Sequence, residues 1–338
     1  MSPFNNFDRR DRVRLVFSGL AMFSLVVLGL VIATPAFSYL PLFTRANGTG
    51  HADHWDFNAF PVTFRINPET KDNIRGSISA PDAVTASFAA WVAAPNAALV
   101  VNRGPDTTLT SEGFDGNNLI CFVCTADFAD DSDTIAVTVT TVSDRPGEDT
   151  KHGTTSLFAG QILDADILFN PSVDFTTGGT GGESLQTIAV HEVGHFFGLD
   201  HSGIVRALMF PFAPDLQTTL SYDDVAGISS LYPKNPADVP TGTIAGTIRS
   251  TSGGPIFGAH VFADSTSTAL PYGLGVRKSA ISAVTRPDGT YSIQGVPIDT
   301  YTVTAEPLDE PVSNRNIEGY ASAFGKGSVQ TDFKTRWH

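Results

Sequence analysis

An α+β domain followed by an all-β sandwich is the architecture this sequence predicts, on three observations. Between residues 57 and 233, short alternating strands are interleaved with stretches of helical spacing. "PKNPADVP" (233–240) then places three prolines in eight residues, the composition of a semi-rigid linker. Beyond it, residues 241–309 carry short strands and turns with no helical pattern.

The chain has 338 residues, room for about two domains. Its 41% hydrophobic and 17% charged content supports a packed core and argues against wholesale disorder. The net charge of -14, without a dense basic stripe, argues against a nucleic-acid partner. It also argues against binding anionic membrane surfaces through the folded domains. Composition leaves the oligomeric state open.

The elements follow in order. "DRRDRVR" (8–14) leads into a continuous apolar run (15–33), and "TPAFS" offers Ala36 and Ser38 at signal-peptidase spacing. Residues 1–38 therefore read as a secretory signal cleaved after Ser38. The run is also long enough for an uncleaved anchor. Either way the expected location is outside the cytoplasm, secreted or surface-anchored. Residues 39–56 read as a flexible segment, with His51 and His54 in a solvated loop. "FPVTFRINP" (60–68) alternates as a half-buried strand. "SAPDAVTASFAAWVAA" (79–94) is a helix with a stripe of Val84, Phe88 and Trp91. Strands are expected at 119–124 and 133–142, and one or two more at 157–171.

Cys121 and Cys124 are the two cysteines; in an exported chain a local disulfide is the leading reading, and a reduced buried pair the next. The acidic stretch 127–133 has oxygen ligands suited to Ca2+, though a solvated turn explains it as well. "LSYDDVAGISSLYP" (220–233) is a helix capped by Ser221, with Val225, Ile228 and Leu231 as its buried stripe. In the second domain "RPDGT" (286–290) is a hairpin signal. Residues 310–338 have no assignment, and whether a natural domain ends there is left open.

The chemistry concentrates in "HEVGHFFGLDH" (191–201). On a helix, His191 and His195 leave the same face one turn apart, so both rings can reach one metal ion. Glu192 is turned by about 100°, badly placed to ligate that ion but able to reach a water on it. Gly198 can take the left-handed conformation that ends a helix, which lets His201 supply a third nitrogen. Leu185, Ile188, Ala189, Phe196 and Leu199 are left to pack the helix. Three protein ligands leave a zinc ion one open position, the mark of a catalytic site, and Glu192 would be the general base. The chain has eight histidines and three fall in this stretch, which disfavours chance.

The spacing His191-Glu192-x-x-His195-x-x-Gly198-x-x-His201 resembles the metzincin signature. "ALMFP" (207–211) looks like its Met-turn, and "LSYDDVAGISSLYP" resembles the C-terminal helix of the matrixin branch, as do Ser202 and "DADILFNP" (164–171). The resemblance spans 57–233. It implies a metzincin (zincin-like) α+β domain with a twisted, mostly parallel sheet, an antiparallel edge strand and long helices. It also implies His191, His195 and His201 as ligands of one catalytic Zn2+, Glu192 as base and Met209 as the floor of the site. The strand near "SLFAG" (156–160), with Leu157, Phe158 and Ala159, would pair with an extended protein or peptide substrate. Thr187 would lie near an open S1′ pocket. Asp166 stands where a histidine of a second zinc site would be expected and the surroundings of His152 match poorly, so that second zinc is not predicted. A cysteine-bearing pro-segment is not recognisable. The later module resembles the carboxypeptidase regulatory-like, prealbumin-type β-sandwich, which implies an accessory role without chemistry of its own.

The expected function is thus a secreted zinc metalloendopeptidase. Its rivals are a non-catalytic surface- or matrix-binding protein on the same scaffold and a zinc hydrolase acting on non-peptide amides. With a linker at 234–240, truncation after Pro233 is expected to leave peptide cleavage intact.

Overall fold

The computed structural model describes residues 39–337 except 47, 126–127, 129–133, 150–153, 213–215, 269–271 and 274. The expected signal at 1–38, nearly all of the acidic stretch 127–133, and His152 lie outside the described residues.

In chain order, β1 (Phe43–Ala46) and β2 (Thr49–Ala52) form an antiparallel hairpin, followed by β3 (Val62–Asn67), β4 (Ile74–Gly76) and α1 (Ala80–Val92). Then come β5 (Val101–Arg103), β6 (Asn118–Cys121), β7 (Ala136–Val142), β8 (Gly147–Asp149), β9 (Thr154–Leu157) and β10 (Ile162–Phe169). Short strands β11 (Phe175–Thr177) and β12 (Glu183–Ser184) lead into α2 (Leu185–Phe196), and α3 (Tyr222–Leu231) follows. The remaining elements are β13 (Thr241–Thr247), β14 (His260–Ser265), β15 (Ile281–Val284), β16 (Thr290–Pro297), β17 (Tyr301–Glu306), α4 (Glu318–Ala323) and β18 (Arg336–Trp337).

The main sheet runs β5-β3-β6-β10-β7. Its pairs are parallel except β10–β7, so β7 is an antiparallel edge strand. Alternation explains β3: Val62, Phe64 and Ile66 are buried while Thr63 is exposed. Ser79 caps α1 by accepting from the Asp82 amide, and the helix stacks Phe88 on Phe64 with ring centroids 3.9 Å apart. The helices are of ordinary length, 13, 12 and 10 residues for α1, α2 and α3, not the long helices expected.

Several expectations are corrected. The segment 39–56 is not a loose lead. Tyr39, Leu40, Ala52 and Trp55 are buried, and residues 39–42 lie against the chain at 198–200 through Asp200 N–H to the Leu40 carbonyl and Leu42 N–H to the Gly198 carbonyl, both 2.8 Å. His51 is in β2, and His54 stacks on Phe158 at 4.6 Å. The reason is that this segment brings large apolar side chains to a domain surface that would otherwise stay wet. Helix α3 is not amphipathic in its setting. Asp223 and Asp224 are as buried as Val225 and Ile228, because one side meets the turn at Leu208 and Met209 and the other meets β15 and β16. The 286–290 turn forms, with Gly289 at φ 80°, but it joins β15 and β16, which lie in different sheets. β16 pairs with β13, while β15 belongs to the order β15-β14-β17-β18. Residues 310–337 supply α4, which packs on β1 and β2, and β18, which adds to β17. The linker is pinned as well: Asn96 accepts from the Val239 amide (2.8 Å) and donates to its carbonyl (2.8 Å).

Cys121 and Cys124 are joined by a disulfide beside β6. Nearby, β10 buries two carboxyls. Asp166 accepts from the Leu119 amide at 2.7 Å and the Gly113 amide at 2.9 Å, and Asp164 from the Gly116 amide at 3.2 Å. At 166, where the resemblance places a metal-binding histidine, the carboxyl instead holds a loop. Burial pushes Asp164 up to about 8 and Asp166 up to about 7. Folded-state values above the unfolded ones make stability fully present at low pH and lost as pH rises through them. His191, pushed down to about 3, acts in the opposite sense, losing stability as pH falls below its unfolded value of about 6.5. Between pH 6.5 and 8.5 the carboxyls decide the sign. In chelator, thermal melts should therefore show a lower Tm at pH 8.5 than at pH 6.5; a higher Tm at pH 8.5 would contradict it.

Candidate metal centre

Helix α2 starts at Ser184, whose side chain accepts from the Thr187 amide. It ends at Phe197, and Gly198 turns the chain back at φ 90°. No other residue type fits there: a Cβ would sit 2.1 Å from the Asp53 carbonyl oxygen. The reversal returns His201 to the face carrying His191 and His195. Ring centroids are 4.9 Å apart for 191–195 and 195–201 and 5.4 Å for 191–201. One ligand atom from each of the three can be chosen so that all lie within 4.8 Å of one another, the one such grouping among the described residues.

The outer ring nitrogens decide what the inner ones can do. His191 Nδ1 meets the Leu208 carbonyl at 2.9 Å, His195 Nδ1 the Leu199 carbonyl at 2.7 Å, and His201 Nδ1 the Asn316 carbonyl at 2.9 Å. A carbonyl can only accept, so each Nδ1 carries the hydrogen and each Nε2 presents a lone pair inward. Burial, reinforced by charge on His201, pushes His191 down to about 3, so its ring is neutral. Three imidazoles oriented through Nδ1, with Nε2 left to ligate, suit a borderline cation such as zinc. The donor set therefore fits the metal the motif implies.

Glu192 is buried beside the triad. Thr138 of the edge strand β7 donates its hydroxyl to Glu192 Oε2 at 2.7 Å. Burial raises the carboxyl to about 7, opposed by that hydrogen bond.

Met209 is fully buried under α2, and a Cβ on Gly194 would meet its sulfur at 2.2 Å. The turn that carries Met209 is held by Asp224, which accepts from the amides of Leu208 (2.8 Å), Met209 (3.2 Å) and Ser221 (2.7 Å). Asp223 links the loop to the second domain, accepting from the Ser202 hydroxyl at 2.5 Å and the Ser282 amide at 2.7 Å.

Other expected site residues lie elsewhere. Thr187 is buried, with its hydroxyl on Ser184 Oγ at 3.0 Å, so it completes the helix cap. Leu157 ends β9, which pairs with β8 outside the main sheet; Phe158 is stacked on His54, and Ala159 is buried. Strand β7, bonded on one side to β10, is the edge beside Glu192. Thr138, Gly194, Asp224 and Asn316 escaped the sequence reading. Two left signals: a glycine inside a helix costs about 1 kcal/mol relative to alanine and hints at close packing, and Ser221 with Asp224 has capping-box spacing.

Residues 137–233 match the matrixin family model, and residues 243–317 the carboxypeptidase regulatory-like domain. The chain is 42% identical over 77 residues to Metalloendoproteinase 1 of Glycine max, covering 22% of this chain and 25% of that protein. It is 37% identical over 101 residues to Stromelysin-3 of Xenopus laevis, covering 29% and 20%. It is 40% identical over 99 residues to Matrix metalloproteinase-19 of Mus musculus, covering 25% and 19%. Each alignment thus spans a quarter or less of the relative's length. The matrixin family is zinc-dependent, and its matched segment contains all three histidines. The chain therefore joins a matrixin segment, residues 137–233, to a carboxypeptidase regulatory-like segment, residues 243–317, and its curated relatives are matrix metalloproteinases matched over part of their length.

Proposed function

We propose that this chain is an exported zinc-dependent endopeptidase acting on extended protein segments. The observation that carries the reading is the convergence of three Nε2 lone pairs beside a buried carboxylate. His191, His195 and His201 would hold the zinc, and Met209 would support the site from below. When bound, zinc supplies Lewis acidity toward the scissile carbonyl and acidifies water to a pKa of about 7. Glu192 takes the proton of the attacking water and delivers it to the leaving amine. Thr138 holds that carboxylate at one oxygen, leaving the other for the proton. The open edge of β7 offers backbone donors and acceptors to an extended substrate. Export is supported by the apolar run and small residues at 15–38.

Digestion of casein by the purified chain tests this. Cleavage should stop on treatment with 1,10-phenanthroline and return on adding zinc. Cleavage that survives full metal removal would end the metal reading. A zinc-loaded chain that cleaves no protein would favour the non-catalytic scaffold.

A further inference from the structure

We propose that the C-terminal strap, residues 309–325, is part of the metal site, with the Asn316 carbonyl positioning the third ligand. The inference rests on the triad holding zinc. Two of the three Nδ1–H groups bond to carbonyls close in sequence, Leu208 and Leu199, within the matrixin segment. The third, on His201, bonds to a carbonyl 115 residues away, reached after the chain has completed β13 to β17.

The strap is built to hold that carbonyl still. The Asn316 amide donates to the Ser313 carbonyl at 2.9 Å, and its side-chain oxygen accepts from the Ser313 amide at 2.9 Å, closing a tight turn. Asn314 accepts from the Val329 amide at 3.1 Å. Immediately after the turn, Ile317 and Tyr320 enter a small separate core with Leu40, Phe210 and Phe257. Tyr320 stacks on Phe257 at 5.5 Å and donates its hydroxyl to the Thr285 carbonyl at 3.1 Å. That core joins the segment before β1, the turn after Met209, the β-sandwich and the strap. His201 lies beyond the reversal at Gly198, outside α2, so the helix does not itself fix its ring as it does those of His191 and His195. A fixed acceptor sets its tautomer and angle, the task that outer hydrogen bonds perform at metal-bound histidines.

The second domain is then no detachable accessory. A chain ending at Pro233 lacks the carbonyl, the strap core and the Ser282 partner of Asp223, which reverses the expectation that cleavage survives truncation.

The test uses the full chain with Ser313, Asn314, Arg315 and Asn316 all replaced by glycine, keeping Ile317 and Tyr320 as anchors. Zinc affinity is measured by competition with a chromophoric chelator, and the metal-free Tm alongside it. Loss of an outer partner at a histidine–metal site typically costs 10–100-fold in affinity. We expect a zinc Kd raised by about that factor and restored partly by reinstating Asn316 alone. A Kd within twofold of wild type, with the protein folded, overturns the proposal. Should the variant not fold, nitrogen NMR of the zinc-loaded wild-type chain decides: His201 Nδ1–H should exchange slowly, and rapid exchange overturns it. Wild-type protein that fails to bind one zinc per chain would sink the metal reading itself, a separate outcome.

Discussion

Glu192→Gln is expected to bind one zinc per chain with wild-type affinity and to lose casein cleavage by on the order of 10²–10⁴-fold, the range a positioned general base supplies. Glutamine has the same length, and its amide oxygen can still accept from the Thr138 hydroxyl, which now sits 2.7 Å from Glu192 Oε2. Packing and the neighbouring hydrogen bond are thereby preserved, and the basicity is removed. Replacing a histidine would be less informative, because it removes metal and activity together. Glu192→Ala should also be inactive, but it removes the side-chain acceptor of the half-buried Thr138 hydroxyl and leaves it only the residue-192 carbonyl at 3.1 Å, so part of its loss would be structural. Stopped-time digestion together with metal analysis of the same sample reads both quantities. Wild-type cleavage by the zinc-loaded glutamine variant would show that Glu192 is not the base.

That prediction could be written from eleven residues of sequence, because the chemistry here depends on short-range helical spacing. His191 and His195 are one turn apart on any α-helix, and the glycine three residues later announces a reversal. Strand β3 and helix α1 were equally legible, since their apolar periodicities face a single core. What escaped reading depends on contacts between distant segments. Thr138 reaches Glu192 from a strand 54 residues earlier, and Asn316 reaches His201 from 115 residues later. No local pattern encodes such pairings. Helix α3 shows the same limit: its apolar stripe was legible, but the burial of Asp223 and Asp224 between the Met209 turn and the second domain was not. Its acids are satisfied there by the amides of Leu208, Met209 and Ser282. Residues 39–56 look polar enough to be loose, and only the placement of Tyr39, Leu40 and Trp55 against the body makes them part of it.

Gly198→Ala is the second large effect, and it tests geometry where Glu192→Gln tests chemistry. A left-handed conformation costs an alanine roughly 1–2 kcal/mol. Here a methyl group would also lie 2.1 Å from the Asp53 carbonyl oxygen and 3.0 Å from its carbon. That oxygen belongs to backbone, and the adjacent Asp53 amide is bonded to the Leu42 carbonyl at 2.8 Å, so the obstacle cannot swing aside as a side chain would. The reversal must open, moving Leu199 off His195 and carrying His201 away from the other two rings. We expect a destabilisation of about 3 kcal/mol or more, in the range reserved for strained backbone and core lesions, and a loss of zinc affinity exceeding tenfold. Gly181→Ala separates the two causes. Gly181 also has positive φ, 96°, but nothing lies within 4 Å of its added methyl. It should lose only the conformational part, about 1–2 kcal/mol, and bind zinc normally. Thermal melts and chelator competition on both variants give the comparison. If Gly198→Ala binds zinc as tightly as Gly181→Ala and melts no lower, the close approach at Asp53 does not set the position of His201.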